Sequence, residues 1–322
     1  MDKLYPQLEP YDFGLLDVGH KHKIYWEKLG KENGIPVLVL HGGPGAGGNK
    51  SLRQFFDPNY YNIIIFDQRG CGRSIPSGSI ENNTTQHLIE DIEKLRTFLK
   101  IKKWIIFGGS WGSSLALVYS QKHPEKILNI ILRGIFLCRK HEIDWFLYGM
   151  KNIFPDYWKR FANFLPKNER TDLLKSYYKR LTSKDLSTCV EAGLSWAKYE
   201  ANCSTYLPNG SVTEEFLDTE MAINLARIEA HYFINNLFLN ENQLLNNIKK
   251  IDNIKGYIIQ GRYDVICPPQ SAYELSKAWT KSEIKIVEKA GHSSLEPKIK
   301  NAILQTMENI KKKDEFNEHR EF

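Results

Sequence analysis

The sequence predicts an α/β protein in which a mostly parallel sheet flanked by helices is interrupted by a large helical insertion. Three observations support this class. Short β-branched runs alternate with helical periodicity in the first half, an aromatic-rich helical stretch follows, and two more strand-like runs appear near the end. At 322 residues and 42% hydrophobic content, the chain is long enough for one large α/β domain with an insertion.

The first half is predicted to form strands that alternate with helices. Leucine and isoleucine recur at helical spacing between residues 84 and 99, which predicts an amphipathic crossover helix. A second helix is expected after Gly112 and must end near His123, because Pro124 follows. Unbroken β-branched runs are typical of strands buried on both faces. Such runs lie at 37–40, 63–66, 104–107 and 129–132.

The chain changes character after residue 135. Residues 136–245 combine helical periodicity with dense aromatic side chains, which predicts a helical cap inserted into the α/β domain. Strand-like runs then resume at 256–260 and 284–287. We therefore expect residues 1–135 and 246–322 to form the α/β domain, with the cap between them.

Charge, cysteine content and hydropathy exclude several functional classes. The 44 basic and 38 acidic residues give a net charge of +6 that is spread along the chain, so we expect no nucleic-acid partner. The five cysteines are scattered and form no CxxC pair, which argues against a disulfide framework and against a metal site. No signal-peptide pattern and no apolar stretch of transmembrane length occurs, so we expect a cytoplasmic protein with no membrane partner.

The stretch FGGSWGS, residues 107–113, carries a candidate nucleophile. It contains the pattern G-x-S-x-G centred on Ser110, with a predicted strand before it and a predicted helix after it. In such an elbow, small residues on both sides let a strained turn expose the serine hydroxyl, and the helix N-terminus favours developing negative charge. The bare pattern is common in loops, but this context favours Ser110 as a nucleophile.

A serine nucleophile needs a base and an acid that orients the base. Asp264 follows one predicted strand, and His292 follows the last one. Taken alone, an aspartate or a histidine at such a position is more often an ordinary turn or loop residue. It is much less probable that a serine, an aspartate and a histidine all follow strands by chance. The chain order Ser, Asp, His is that of the α/β hydrolases. We predict a triad of Ser110, Asp264 and His292.

An oxyanion hole is predicted from the loop HGGPG, residues 41–45, which follows the strand at 37–40. In hydrolases of this class that loop gives one amide, and the residue after the nucleophile gives the other. We therefore predict the amides of Gly43 and Trp111 as the donors. Because an amide needs no indole, we attribute the Trp111 side chain to the substrate pocket, as a flat wall for an apolar ring.

Five motifs extend the similarity beyond a fold. In this order, HGGPG, DQRGCGRS, GGSWGS, GRYD and AGHS, with a helical insertion between the third and the fourth, resemble the proline iminopeptidase (prolyl aminopeptidase) family of the α/β-hydrolase fold. The similarity runs from about Tyr25 to Pro297. The resemblance implies a serine aminopeptidase that releases N-terminal proline from short peptides and uses no cofactor.

The resemblance also implies substrate-binding residues. Glu200 and Glu229 of the cap match the acids that hold the charged N-terminus of the substrate, although Tyr199 stands where a Trp is frequent in the family. Without the resemblance, Glu229 would be taken for a solvated helix position. Phe136, with Arg133 beside it, matches the proline-ring pocket. Cys267 lies where thiol-sensitive members carry a cysteine.

The motif DQRGCGRS is predicted to be structural. Asp67, Arg69 and Arg73 are expected to form a charge-paired turn that braces the loops of the site, with no chemical role.

Two other classes of function remain open from the sequence. A serine esterase or amidase of the same fold would keep the triad and differ in the cap, and a panel of aminoacyl and ester substrates separates it. A non-catalytic hydrolase-fold binding protein would resist labelling by a serine-directed phosphonate. Epoxide hydrolases and dehalogenases fit less well, because they use a carboxylate where this chain has Ser110. The natural peptides and the oligomeric state stay open.

Overall fold

The computed structural model describes residues 3–210, 214 and 218–318, with side chains described through 314. The strands of the described chain are β1 (Asp12–Gly19), β2 (His22–Gly30), β3 (Ile35–Leu40), β4 (Tyr61–Phe66), β5 (Trp104–Ser110), β6 (Ile127–Ile135), β7 (Lys255–Gly261) and β8 (Ser282–Val287). They form one sheet in the order β1-β2-β4-β3-β5-β6-β7-β8. Pairing is antiparallel from β1 to β2 and from β2 to β4, and parallel from β4 onward. The predicted α/β-hydrolase fold is confirmed.

The central strands are buried on both faces, as their unbroken apolar runs predict. In β5, Ile106 packs into the core on one face, while Ile105 and Phe107 pack into the core on the other. The hairpin of β1 and β2 was not predicted. Its first strand is half exposed, with Phe13 and Leu15 facing solvent, so it lacks the apolar run by which the other strands were recognised.

The helices fall into two groups. Those of the α/β domain are α1 (Thr85–Phe98), α2 (Trp111–Lys122), α9 (Pro269–Ala278) and α10 (Pro297–Glu318); those of the insertion are α3 (Lys140–Asp144), α4 (Pro155–Asn163), α5 (Leu173–Leu181), α6 (Leu186–Cys203), α7 (Thr219–Ile234) and α8 (Gln243–Asn246). The predicted crossover helix is α1, with the Thr84 hydroxyl accepting a hydrogen bond from the His87 amide as its N-cap. The helix α2 ends before Pro124, as expected.

The helical insertion lies between β6 and β7 and packs around aromatic rings. Phe161 stacks between Tyr177 and Tyr199, with ring centroids 4.5 and 4.4 Å apart. Such stacks bury large apolar areas in a segment that has no sheet to pack on. The exact cap boundaries, residues 136 and 245, stay a prediction. Among the residues described, no helix combines the length and apolar character needed to cross a membrane.

The parallel strands bring distant segments to one edge of the sheet. The carboxyl ends of β3, β5, β7 and β8 lead to His41, Ser110, Asp264 and His292 respectively. In open α/β sheets, ligands bind outside the carboxyl ends of the strands. The topology therefore places every predicted catalytic segment at the edge where a site is expected.

Candidate active site

Ser110 occupies a strained turn between β5 and α2. Its φ of 57° and ψ of −129° are unusual for a residue with a side chain. A Cβ placed at Gly108 would lie 2.2 Å from the Gly112 carbonyl oxygen, and one at Gly112 would lie 2.2 Å from the Leu40 carbonyl oxygen. The turn is therefore sterically possible only because glycine stands two residues before and two residues after Ser110.

Asp264 and His292 form a hydrogen-bonded pair at this edge. Asp264 Oδ2 lies 2.8 Å from His292 Nδ1, and both side chains are buried. The Asp264 carboxylate also accepts hydrogen bonds from the Cys267 amide at 2.8 Å and from Gln260 Nε2 at 3.0 Å. His292 and Ser110 line the same cleft. The structure thus brings the three predicted triad residues together.

The backbone of His292 is held from both sides. Its amide donates to the Ser204 carbonyl of the cap at 2.9 Å, and its carbonyl accepts from Arg133 Nη1 at 2.7 Å. The Glu296 carboxylate accepts a further hydrogen bond from the Gly291 amide at 2.9 Å. The base is therefore fixed by contacts to the sheet and to the cap.

Two positions that support the triad were not found from the sequence. Gln260 donates to Asp264 and accepts from the Ile135 amide at 2.9 Å, so it links β6 to the acid. Gly134, with a φ of +55°, leaves room for the base, because a Cβ there would lie 2.9 Å from His292 Cε1. The one available signal was a polar residue at the end of the apolar run GYIIQ.

The predicted oxyanion donors come from two segments that meet at Ser110. Gly43 lines the cleft and has a φ of +103°, which only glycine adopts readily. Trp111 is the first residue of α2, so its amide belongs to the first turn, which has no intrahelical acceptor. Both positions fit the predicted role, which stays a prediction.

The Trp111 side chain is not where we expected it. It is fully buried, it donates from Nε1 to Gln68 Oε1 at 2.9 Å, and its ring packs edge-on against Tyr232 of α7 at 5.0 Å. The indole therefore anchors the elbow in the interior and does not line the open cleft. The expectation of a flat pocket wall is wrong for this residue, because the indole N–H has a buried polar partner.

The cleft over Ser110 has a volume of about 330 Å³ and lies between the sheet edge and the cap. Its walls include Gly43, Arg133 and His292 on the sheet side and Glu200 on the cap side. This volume suits a small ligand with few residues. Arg133 thus borders the site, although the hydrogen bond described for it goes to His292, and a direct role in substrate binding stays a prediction.

The cap places two carboxyl groups side by side. Glu200 and Glu229 are both buried, and their side chains lie within hydrogen-bonding reach of each other. Glu229 lies behind Glu200 and accepts a hydrogen bond from Trp196 Nε1 at 2.7 Å. No described residue donates a hydrogen bond to Glu200 Oε2. A hydrogen bond between the two carboxyl groups requires that one of them carries a proton.

Burial and mutual repulsion change the titration of this pair. Desolvation raises the pKa of Glu200 to about 7. Desolvation, followed by the charge of Glu200, raises the pKa of Glu229 well above its usual range. Two carboxylates that share a buried site cannot both ionise easily. The pair therefore retains a proton near neutral pH, and a cation at Glu200 would stabilise the ionised form.

Phe136 and Cys267 lie close to the centre but not on the open cleft. Phe136 follows β6 and packs against Phe233 in an aromatic cluster that includes Trp196, the partner of Glu229. Its predicted contact with a proline ring stays a prediction. The buried Cys267 thiol lies within hydrogen-bonding reach of Ser110, and burial raises its pKa well above the usual range, so it is protonated at neutral pH.

The DQRGCGRS segment is a charge-paired turn, as expected. Asp67 accepts hydrogen bonds from Arg73 Nε and from the Gly48 amide, each at 2.8 Å. Arg69 forms a bidentate pair with Asp91 of α1, at 2.6 and 2.7 Å. These contacts tie the turn to the loop that follows β3, which carries Gly43.

Comparison with known proteins identifies the family and the relatives of this chain. The alpha/beta hydrolase fold family matches residues 35–298. A proline iminopeptidase from Arabidopsis thaliana is 49% identical over 311 residues, which are 96% of this chain and 82% of that protein. One from Xylella fastidiosa (strain Temecula1 / ATCC 700964) is 46% identical over 306 residues, 94% of this chain and 98% of that protein.

A solved structure shows the same fold at much lower identity. The 2-hydroxy-6-oxo-6-phenylhexa-2,4-dienoate hydrolase from Rhodococcus sp. strain RHA1 superposes with a TM-score of 0.63 at 18% identity, covering 93% of this chain and 98% of that one. The high identity over nearly the whole length of the two iminopeptidases is the more specific finding. The chain therefore belongs to the proline iminopeptidase family of α/β hydrolases.

Proposed function

We propose that this chain releases N-terminal proline from short peptides through a Ser110 acyl-enzyme. One observation carries the proposal. His292, which is hydrogen-bonded to Asp264, and the strained Ser110 line a cleft whose opposite wall is Glu200, with Glu229 within hydrogen-bonding reach of Glu200. Ser110, His292 and Asp264 suit acyl transfer, and the two glutamates suit the binding of a cationic amino terminus. Family membership supports both halves of the proposal.

In the acylation step, Ser110 Oγ attacks the carbonyl carbon of the proline residue. His292 takes the hydroxyl proton, and Asp264 holds the imidazole in the required tautomer and stabilises its positive charge. The amides of Gly43 and Trp111 receive the oxyanion, and each such donor is worth about 2.7 to 4 kcal/mol in the transition state. His292 then protonates the leaving amine as the peptide bond breaks.

In the deacylation step, water replaces the departed peptide. His292 removes a proton from the water, whose oxygen attacks the prolyl ester, and the Ser110 oxygen regains its proton as the ester bond breaks. The products are free proline and a peptide shortened by one residue. Every proton and electron pair is accounted for by the triad, the substrate and water.

The carboxyl pair explains the choice of an amino terminus. With one proton shared, Glu200 and Glu229 together carry a single negative charge, which matches the single positive charge of a protonated prolyl terminus. An internal peptide bond would bring no charge and would leave the pair buried without a cation. Breaking a buried ion pair costs about 3 to 5 kcal/mol, enough to discriminate strongly against internal bonds.

A substrate panel tests the proposal. We expect turnover of proline 4-nitroanilide, much weaker turnover of its N-acetyl derivative, and slower release from alanine and leucine 4-nitroanilides. Ester hydrolysis with no preference for a free amine would instead indicate a general esterase. Failure of a serine-directed phosphonate to label the chain would contradict catalysis by Ser110 altogether.

A further inference from the structure

We propose that Gln68 is a positioning residue that holds both amide donors of the oxyanion hole in register. The inference rests on the proposed function, in which Gly43 and Trp111 are those donors. Gln68 follows β4 and is not among the residues that line the open cleft. It is nevertheless hydrogen-bonded to the two segments that carry the donors. All three participating side chains, those of His41, Gln68 and Trp111, are buried.

The Gln68 carboxamide joins the two segments directly. Its Oε1 accepts from Trp111 Nε1 at 2.9 Å, and its Nε2 donates to the His41 carbonyl at 3.0 Å. An indole N–H can only donate and a carbonyl can only accept, so the orientation of the carboxamide is fixed by its partners. A carboxylate or an apolar side chain at this position would lose one or both bonds.

The backbone of Gln68 sets the tautomer of His41. The Gln68 amide donates to His41 Nε2 at 3.0 Å, so Nε2 must be the unprotonated nitrogen. The proton then lies on Nδ1, which is 3.0 Å from the Gly42 carbonyl oxygen and donates to it. Burial lowers the pKa of His41, which keeps the ring neutral and supports the same arrangement.

The Gly42 carbonyl controls the direction of the Gly43 amide. The two groups belong to one planar trans peptide unit, in which the C=O and the N–H point in opposite directions. When His41 holds the carbonyl, the N–H is held too, with its direction set away from His41. A peptide flanked by glycine would otherwise rotate easily, since Gly43 already has a φ of +103°.

The same side chain therefore acts on both donors. It holds the Gly43 amide through His41, and it holds the first residue of α2 through the Trp111 indole. This also explains why a tryptophan follows the nucleophile, since its N–H reaches a partner across the interior. Losing one oxyanion donor costs about 10² to 10³ in kcat. Misaligning two donors without removing them should cost part of that, about 10- to 100-fold in kcat.

Gln68→Met tests the proposal, because methionine has a similar length and neither donates to the carbonyl nor holds the indole. We expect kcat for proline 4-nitroanilide to fall about 10- to 100-fold with KM changed less than threefold. Trp111→Phe removes only the hydrogen bond between the indole and Gln68, so it should give a smaller loss of kcat, again with little change in KM. The matched control is Gln121→Met, which removes a buried glutamine on α2 whose Nε2 donates to the Leu244 carbonyl at 2.7 Å, away from the site.

Inhibitor binding separates positioning from simple loss of stability. Prolyl boronic acid forms a tetrahedral adduct whose oxygen occupies the oxyanion hole, whereas free proline does not. We expect Gln68→Met to weaken the boronate at least tenfold and proline less than threefold. In a double-mutant cycle, Gln68→Met with Trp111→Phe should be no worse than Gln68→Met alone, because both changes break the same bond.

Three outcomes would overturn the inference. These are a kcat equal to that of Gln121→Met, equal weakening of the boronate and of proline, or strictly multiplicative losses in the double variant. If Gln68→Met does not fold, the same comparison is made with Trp111→Phe. Equal weakening of prolyl boronic acid and of proline in that variant would then overturn the inference. An inactive wild type that phosphonate fails to label would refute the proposed function instead, so the two failures are distinguishable.

Discussion

The two walls of the cleft differ in how far their polar groups are satisfied in the free protein. On the sheet side, Asp264 accepts three hydrogen bonds, and the backbone of His292 is held at both its amide and its carbonyl. On the cap side, Glu200 and Glu229 are buried together, and Glu200 Oε2 has no donor among the described residues. The polar groups of the sheet side are satisfied, whereas no ion pair to the cap carboxyl groups occurs among the described residues.

This difference indicates a division of labour. A preorganised triad costs no reorganisation when the substrate arrives, which is what acyl transfer requires. A buried carboxyl pair with raised pKa values is unfavourable by itself and becomes favourable when a cation enters. In the proposed function, the sheet therefore supplies the chemistry, and the cap supplies the selection for a charged amino terminus. The following experiments separate the two contributions.

The largest effect is expected from the sheet wall. Ser110→Ala should lower kcat about 10⁶-fold, because the remaining triad residues act as a unit with the nucleophile. The matched control is Ser120→Ala on the same helix, which removes a buried hydroxyl that has no hydrogen-bond partner in the described part of the chain. We expect the control to retain turnover of proline 4-nitroanilide. Measurable turnover by Ser110→Ala above about 1% of wild type would contradict the assignment.

A smaller effect is expected from protonation of the cap wall. The pKa of Glu200 is raised to about 7, so acidification neutralises the pair that we propose to bind the amino terminus. We expect kcat/KM for proline 4-nitroanilide to fall about tenfold for each pH unit below 6, relative to kcat/KM for 4-nitrophenyl acetate. The ester carries no amine, so the ratio removes the pH effects on acyl transfer that both substrates share. If the ratio of the two kcat/KM values stays constant from pH 5 to pH 8, the charge of the carboxyl pair does not contribute to binding of the amino terminus.

The smallest effect is expected in stability. Because the folded protein raises the pKa of Glu200 from 4.5 to about 7, the neutral form is favoured in the folded state. Stability is then fully present below about pH 4.5 and is lost as the pH rises towards 7, up to a bound of about 3 kcal/mol. Glu200→Gln removes this loss and should melt about 2 to 6 °C above wild type at pH 8.

The control for the stability measurement lies on the same helix. Glu191 is exposed on α6, so Glu191→Gln should leave the melting temperature unchanged at pH 8 and at pH 4.5. At pH 4.5 the Glu200→Gln variant should melt close to wild type, since both side chains are then neutral. A Glu200→Gln variant that is destabilised at pH 8 would mean that the ionised carboxylate has a stabilising partner in the free protein.

The three predicted triad residues could be found from the sequence, whereas the residues that hold them in place could not. Ser110, Asp264 and His292 follow apolar strand runs, and parallel strands bring such positions to one edge. Gln260, Gly134 and Ser204 escaped prediction, because their roles depend on contacts between strands and cap that no local pattern encodes. The resemblance to a family identified Glu200 and Glu229, but only the structure shows that they are adjacent.

Trp111 shows where residue-by-residue reasoning fails. Its position after the nucleophile predicts an oxyanion role for its amide, but the suitability of aromatic rings for apolar ligands wrongly predicts that its indole lines the substrate pocket. The indole N–H had to be satisfied if it was buried, and Gln68 satisfies it from 43 residues away in sequence. Such a partner is set by tertiary structure and could not have been read from either segment.

The most direct test of the division of labour measures both walls in one variant. The double substitution Glu200→Gln with Glu229→Gln leaves every triad residue in place and removes the charge of the cap wall. We expect a neutral serine-directed phosphonate to label this variant within about twofold of the wild-type rate, while kcat/KM for proline 4-nitroanilide falls about 10²- to 10³-fold. Equal losses of labelling and of turnover would contradict the account, because the cap would then be acting on the chemistry itself.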